Sequence, residues 1–200
     1  YDDDTSPRYT YEYGANGAAS AVRDRALERE RIVEYDLANR PVQSTLRDAV
    51  TGEELYQTAL LYDKYNNVSK FKERAYGTSY QTAYAYDTEN RPTNVKYMDD
   101  ANKAVSYVYD GVGRIATRTV KNGTTDTAVT TYSYVPGRSG TTGSTTPLVA
   151  GITQPGMSFA YEYDSRGNIT KETRTPQGGA AQELTYSYDS LGQLTRVNDP

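Results

Sequence analysis

Cysteine, histidine and tryptophan are all absent from the 200 residues. Without cysteine there can be no disulfide, no zinc-thiolate centre and no thiol nucleophile. Without histidine, the usual general base of a catalytic triad and the commonest metal ligand are both missing. Long apolar runs are missing as well: nothing approaches the roughly 20 residues of a membrane-spanning helix, and no basic-then-apolar opening marks a signal peptide. The chain starts and stops in polar text, so it reads as an excerpt whose targeting signals lie elsewhere. Charge of one sign is also lacking, with 22 basic against 26 acidic residues and a net of -4. The signs are interspersed, and no basic stripe attracts a phosphate backbone, which argues against nucleic acid as a partner, while the lack of a long apolar run argues against membrane insertion of this segment.

Tyrosine is abundant instead, with 21 Tyr against 2 Phe, in a chain only 36% hydrophobic. Its mean hydropathy is -0.81. Almost all the aromatic surface therefore carries a hydroxyl. That suits a wall one side chain thick, where a ring packs on its neighbour while the OH reaches water or a backbone group. A dense apolar core is not expected.

The tyrosines fall in a repeat. The text Tyr161-Glu162-Tyr163-Asp164-Ser165-Arg166-Gly167-Asn168-Ile169-Thr170 recurs from Tyr186 through Tyr188, Asp189 and Gly192 to Thr195, and from Tyr107 through Tyr109, Asp110 and Gly113 to Ala116. Tyr84, Tyr86 and Asp87 open another copy, in which Asn90-Arg91-Pro92 replaces the Gly-Arg-apolar step. Looser copies contain Tyr35-Asp36 and Tyr62-Asp63, and two eroded ones, at Tyr11 to Gly14 and Tyr132 to Val135, lack the aspartate. The second aromatics stand at 13, 35, 62, 86, 109, 134, 163 and 188, at intervals of 22 to 29 residues. That period suits one β-hairpin per unit and is too short for helical pairs.

Within each copy the two tyrosines are at i and i+2, on one face of a strand. The Asp-x-x-Gly/Asn that follows is turn chemistry: aspartate accepts a hydrogen bond from the backbone two residues on, and Gly or Asn tolerates the left-handed conformation. An apolar residue such as Ile115, Ile169 or Leu194 then starts a return strand. Between copies, Thr51-Gly52, Asn122-Gly123 and Pro176-Gln177-Gly178-Gly179 mark the reversals from one hairpin to the next. Ala18 to Arg31 favours helix by its Ala, Leu, Arg and Glu content, but the alternation Arg29, Arg31, Val33, Tyr35 favours strand, and strand is expected. Val135 to Pro155, rich in Gly, Ser, Thr and Pro, reads as an extended loop on a degenerate repeat.

The expectation is one all-β array over residues 1–200, about eight antiparallel hairpins forming a curved or spiralling solenoid sheet. The frame Tyr-x-Tyr-Asp-x-x-Gly-(Arg/Asn)-(Leu/Ile)-Thr resembles the YD repeat of RHS proteins, of bacterial cell-wall-associated repeat proteins and of teneurins. The resemblance implies a secreted or cell-surface protein whose β-sheet spirals into a hollow shell. In bacterial polymorphic toxins and toxin complexes, such a shell encloses a C-terminal toxin domain; in teneurin-like proteins it supports adhesion. RHS shells that release cargo are typically closed by a self-cleaving Asp-Pro-x-Gly-hydrophobic motif. Asp199-Pro200 matches its first two letters only and reads more simply as an inter-repeat turn.

The candidate chemistry is sparse. A recurring Asp36, Asp63, Asp87, Asp110, Asp164 or Asp189 fits a turn cap better than a catalytic or metal-binding group, since catalysis needs one assembled site and not six equivalent positions. Asp164 to Asn168 offers one carboxylate with an arginine in the middle, a poor calcium loop. Asp2-Asp3-Asp4 and Asp99-Asp100 read as solvated charge. Glu162, Glu172 and Glu183 are the carboxylates available for glycoside hydrolysis, with nothing singling out a pair. Asn67-Val68-Ser69, Asn122-Gly123-Thr124 and Asn168-Ile169-Thr170 match the glycosylation pattern, which matters only in a eukaryotic secretory setting. Neither a catalytic residue, a cofactor nor a metal is expected. The partners expected are the neighbouring repeats and, through the resemblance, an enclosed toxin domain. Tyrosine platforms that stack on cell-surface glycans are the alternative to rings that ladder across strands and join repeats.

Overall fold

The computed structural model describes residues 7–98, 103–137 and 145–199. The aspartate clusters at 2–4 and 99–100, part of the Gly-rich stretch after Gly137, and Pro200 of the Asp-Pro pair lie outside the described residues. The chain divides into two compact units, Tyr1–Lys103 and Ala104–Pro200.

The described residues are all-β, with sixteen strands and no helix. In the first unit they are β1 (Tyr9–Tyr13), β2 (Ala19–Asp24), β3 (Arg29–Tyr35), β4 (Pro41–Asp48), β5 (Glu54–Tyr62), β6 (Val68–Ala75), β7 (Thr78–Tyr86) and β8 (Pro92–Tyr97). The remainder are β9 (Lys103–Tyr109), β10 (Ile115–Asn122), β11 (Thr125–Pro136), β12 (Thr145–Gln154), β13 (Met157–Tyr163), β14 (Ile169–Pro176), β15 (Gln182–Tyr188) and β16 (Leu194–Asn198). Within each unit every strand pairs antiparallel with the next in sequence. Each tyrosine motif closes the outgoing strand of a hairpin, and Ile115, Ile169 and Leu194 open return strands.

Ala18 to Arg31 forms β2, a turn and the start of β3. Its helix-forming composition is overridden because Ala21 faces Ile32 and Arg23 faces Glu30 across the ladder, so each strand of the pair covers the other. The loop expected from Val135 to Pro155 is corrected over much of its length, for Thr145–Gln154 is a full strand paired with both β11 and β13. Its β-branched Thr145, Thr146, Val149, Ile152 and Thr153 suit a pleated surface. Pro147 falls where the register slips between Tyr134 and Pro136, so its missing N–H breaks no regular rung.

Burial is shallow throughout. Among the described residues only Ala21, Val105, Thr45 and Thr130 are buried, and no large side chain is fully so. Stability must therefore come from rungs and ring contacts between neighbouring hairpins rather than from a core.

Candidate functional site

The repeated feature that the structure builds most carefully is the motif turn and the seam it makes with the preceding hairpin. In the first full copy the Asp36 N–H donates to the Arg40 carbonyl (2.9 Å) and the Asn39 N–H to the Asp36 carbonyl (2.9 Å). The Asp36 carboxylate then takes the N–H groups of Ala38 (2.9 Å) and Arg40 (3.0 Å) on Oδ1 and the Arg40 Nε (2.7 Å) on Oδ2. Asp87 and Asp110 do the same with Arg91 and Arg114, and Asp63 and Asp164 with Asn67 and Asn168. Asp189 keeps the backbone part, accepting from Leu191 and Gln193 (2.9 Å each). The fourth turn residue has a left-handed backbone in each of the six full copies: Asn39, Asn66 and Asn90, then Gly113, Gly167 and Gly192, with φ from 61 to 88°. Only Asn and Gly enter that region at small cost, and they are the residues found.

These bonds hold five aspartates below the ordinary carboxylate range. For Asp36 and Asp164 the leading cause is the side-chain bond from Arg40 or Asn168. For Asp63, Asp87 and Asp110 partial desolvation pulls the other way and is outweighed by the N–H and side-chain donors of the turn. An acid so held, with both oxygens occupied, is a poor base and a poor proton donor at neutral pH.

A β-bulge precedes the second tyrosine, between Glu34 and Tyr35, Leu61 and Tyr62, Ala85 and Tyr86, Glu162 and Tyr163, and Ser187 and Tyr188. The extra residue is the one after the return strand's first, which is the motif's hydroxyl position. Ser69 Oγ and Thr195 Oγ1 there donate across the bulge to the carbonyls of Leu61 (3.2 Å) and Ser187 (3.0 Å). Bulges re-aim side chains, and here the tyrosine hydroxyl reaches the preceding hairpin. Tyr35 donates to the Ala19 carbonyl (3.1 Å), Tyr62 to Pro41 (2.8 Å), Tyr86 to Val68 (2.9 Å), Tyr134 to Ile115 (2.8 Å), Tyr163 to Val149 (2.7 Å) and Tyr188 to Ile169 (2.8 Å). In five of these six bonds the acceptor is the first residue of the earlier return strand; Val149, within β12, is the other. Burial raises the hydroxyl pKa of Tyr86, Tyr134 and Tyr163, keeping the donor protonated.

The register of these seams is constant. Ala21 faces Ile32, Gln43 faces Ala59, Lys70 faces Ala83, Thr117 faces Thr131, Gly151 faces Ala160 and Lys171 faces Thr185. In each case the residue two after the acceptor carbonyl lies opposite the residue three before the tyrosine. The turn arginines add a second link, since the Arg40 guanidinium lies 4.4 Å from the Tyr62 ring centre and that of Arg114 lies 4.0 Å from Tyr134. One arginine thus ties its own aspartate to the next repeat's tyrosine, a geometry that a guanidinium fork fits and an ammonium does not. Side chains also join turn to turn, Asn16 to Asn39, Arg40 to Asn66, and Asn67 to Asn90 (2.8 Å). The left-handed Asn accepts in all three, which a glycine cannot do.

The remaining motif residues take the complementary places. Tyr84, Tyr107, Tyr161 and Tyr186, the first tyrosines, are half-buried on the same face as the second ones, while Ala85, Val108, Glu162 and Ser187 between them are exposed. Tyr109 is half-buried at the end of β9. Asp24 and Asp48 cap inter-repeat turns in the same manner, which the motif alone did not reveal, and pair with Arg8 (3.0 Å) and Arg29 (2.7 Å).

The three glutamates singled out for glycoside chemistry are not assembled. Glu172 is on the tyrosine face, bound by Arg174 Nε (2.6 Å) and the Tyr186 hydroxyl (3.1 Å), and the Arg174 bond lowers its pKa. Glu162 faces Lys171, one place along the ladder and so on the opposite side, where Lys171 binds Glu183 (2.7 Å) and Glu162 (3.6 Å). Asn67 and Asn168 of the glycosylation triplets have their amides bound inside the turns. Among the described residues no group of three or more His, Cys, Asp or Glu is placed to hold a metal ion. A recess of about 630 Å³ along Thr131, Thr153, Ser158 and Thr175 has no ionisable residue in its lining. No helix of the described residues is long and apolar enough to cross a membrane.

No protein-family model matches the chain. No curated protein matches it either. Among solved structures it is similar to TcdB2-TccC3, with 15% identity over 90% of this chain and a TM-score of 0.36. It is also similar to the Tc holotoxin pore of Photorhabdus luminescens, with 14% identity over 94% and a TM-score of 0.33. The chain spans 10% and 12% of those two proteins. A third, a porin-like protein from Bacteroides uniformis, is 13% identical, with 96% of this chain and 89% of that one covered and a TM-score of 0.39.

Proposed function

We propose that this chain is a structural repeat segment, part of the β-wall of a secreted or cell-surface shell of the RHS/YD type, and not an enzyme. Its work is mechanical: to hold a continuous sheet without a core, so that the longer protein can enclose or display a toxin or other effector domain. The observation that carries the reading is the commitment of the motif's polar atoms. The tyrosine hydroxyls of six copies are engaged in the preceding hairpin, and the aspartates are engaged in their own turns. In this reading the same seam, carried through many more repeats, builds a sheet that spirals closed on itself, with the polar and tyrosine faces as the two surfaces of the wall.

A glycan-binding or adhesion role has one observation in its favour. Tyr9, Tyr11 and Tyr13 stand on one face of β1, exposed to 44, 55 and 67%. Thermal melts of Tyr86→Ala, Tyr109→Ala and Tyr13→Ala, with and without a glycan panel, separate the readings. The wall predicts large losses of stability at Tyr86 and Tyr109, a small one at Tyr13, and no glycan-dependent shift. Near-neutral melts at Tyr86 and Tyr109 together with lost glycan binding would establish the platform instead.

A further inference from the structure

We infer that the sheet face opposite the tyrosines carries, on β6 to β8, a binding surface for an extended acidic peptide segment. Read along the chain, Lys70-Phe71-Lys72-Glu73-Arg74 mixes the signs and shows no basic stripe. A strand sorts that text by alternation. Phe71 and Glu73 go to the tyrosine side, where Glu73 faces Tyr80 across the ladder and accepts the Tyr56 hydroxyl (2.9 Å). Lys70, Lys72 and Arg74 go to the other side in one row. Lys96 of β8 joins them there, since Lys70 and Lys96 both face Ala83 of β7.

Little neutralises these four cations. Among the described residues Lys70, Lys72 and Lys96 make no ion pair, and Arg74 meets Glu54 at 3.5 Å with both side chains exposed. The residues that face the row on β5 and β7 are Leu61, Ala59, Gln57, Ala83, Gln81 and Ser79, none of them charged. A recess of about 250 Å³ opens along Lys72 and Arg74, with Gln57, Ser79 and Gln81 in its wall. Neighbouring like charges repel unless an anion lies over them. Spacing selects which anion. Alternate residues of a strand stand about 6.6–6.8 Å apart, twice the rise per residue. An extended peptide laid along β6, with carboxylates at alternate positions, repeats at the same distance, so three carboxylates meet Lys70, Lys72 and Arg74 in step. A long polyanion such as nucleic acid would instead run past the row onto a chain whose net charge is -4 and be repelled there. The inference goes beyond the wall reading and does not depend on it.

Fluorescence anisotropy with a labelled synthetic peptide that alternates glutamate with serine reads the binding. The expected result is saturable binding that weakens as ionic strength rises from about 0.01 to 0.15 M, where the Debye length shrinks from about 30 to 8 Å. Lys72→Glu, at an exposed position, should weaken it at least about tenfold, while Lys72→Arg should keep it. Lys64→Glu makes the same charge change at an exposed turn position and should leave binding within about twofold. A peptide of the same composition with its glutamates in one block should bind at least about threefold more weakly than the alternating one. Thermal melts of Lys72→Glu and Lys64→Glu should match the unmodified chain, so that lost binding is not lost fold. No binding at low salt, equal binding of the two peptides, or an equal loss at Lys64→Glu would overturn the inference. Tighter binding of polygalacturonate or of a single-stranded oligonucleotide, abolished by Lys72→Glu, would overturn it too and give the face to another anion. The melts at Tyr86 and Tyr109 test the wall reading separately.

Discussion

Removing one hydroxyl from Tyr86 isolates the seam bond from the ring that carries it. In Tyr86→Phe the ring stays half-buried on β7 while the 2.9 Å bond to the Val68 carbonyl is lost. A net hydrogen bond contributes about 0.5–1.5 kcal/mol, and a carbonyl left partly desolvated puts the expected loss near the middle of that range, about 1 kcal/mol. Tyr86→Ala removes the ring as well. Since no large side chain among the described residues is fully buried, its cost should lie at or below the lower end of the range for core aromatics, at about 2–3 kcal/mol. Tyr13→Phe is the internal control, because that hydroxyl has no partner among the described residues, and its effect should fall within about 0.3 kcal/mol of zero. Urea unfolding reads all three, as shifts in midpoint at constant slope. For a body of about 100 residues the Tyr86→Phe change corresponds to roughly 4–8 °C in a thermal melt. Equal effects at Tyr86 and Tyr13, or none at Tyr86, would refute the idea that tyrosine hydroxyls join the hairpins.

Further outcomes follow from the turns. Arg40→Lys should lose the fork on Asp36 and the stack on Tyr62 together, about 1 kcal/mol by urea midpoint, whereas Arg25→Lys, at an exposed turn position, should be neutral. Gly113→Ala must hold φ near 88°, so it should cost about 1–2 kcal/mol of backbone strain by urea midpoint. Asp36, Asp63, Asp87, Asp110 and Asp164 are held below their usual value of 3.8, so their contribution is complete above about pH 4 and is lost as pH falls through the lowered values. A melting temperature that did not fall on acidification below about pH 4 would contradict this. Tyr86, Tyr134 and Tyr163 are shifted the other way, upward from 10.0, so their contribution is complete below pH 10.0 and disappears as pH rises through the raised values, which an alkaline titration of the melt checks.

The hairpin positions were legible in the sequence because they are written by local chemistry. A tyrosine pair at i and i+2, an aspartate with free acceptors, and an Asn or Gly three residues later specify strand, cap and left-handed turn within ten residues, and β9–β10, β13–β14 and β15–β16 form where that text stands. Where the local text was ambiguous, at Ala18 to Arg31 and Thr145 to Gln154, the neighbouring strands decided, since a ladder accepts any segment whose rungs and side chains it can match. The caps were legible too, since each motif aspartate accepts the N–H two residues on, but the partners of the tyrosines and arginines across the seam were not. Nothing in one copy says that Tyr62 donates to Pro41 or that Arg40 lies on Tyr62, because both contacts cross some twenty residues of chain and exist only once two hairpins share a register. The separation of Glu172 from Glu162 and Glu183 has the same origin, for which side of a sheet a residue faces is fixed by bulges that shift the count by one. The sequence by itself determined the unit; the tertiary structure decided the seam, because a repeat without a core can bury its tyrosines only against its neighbours.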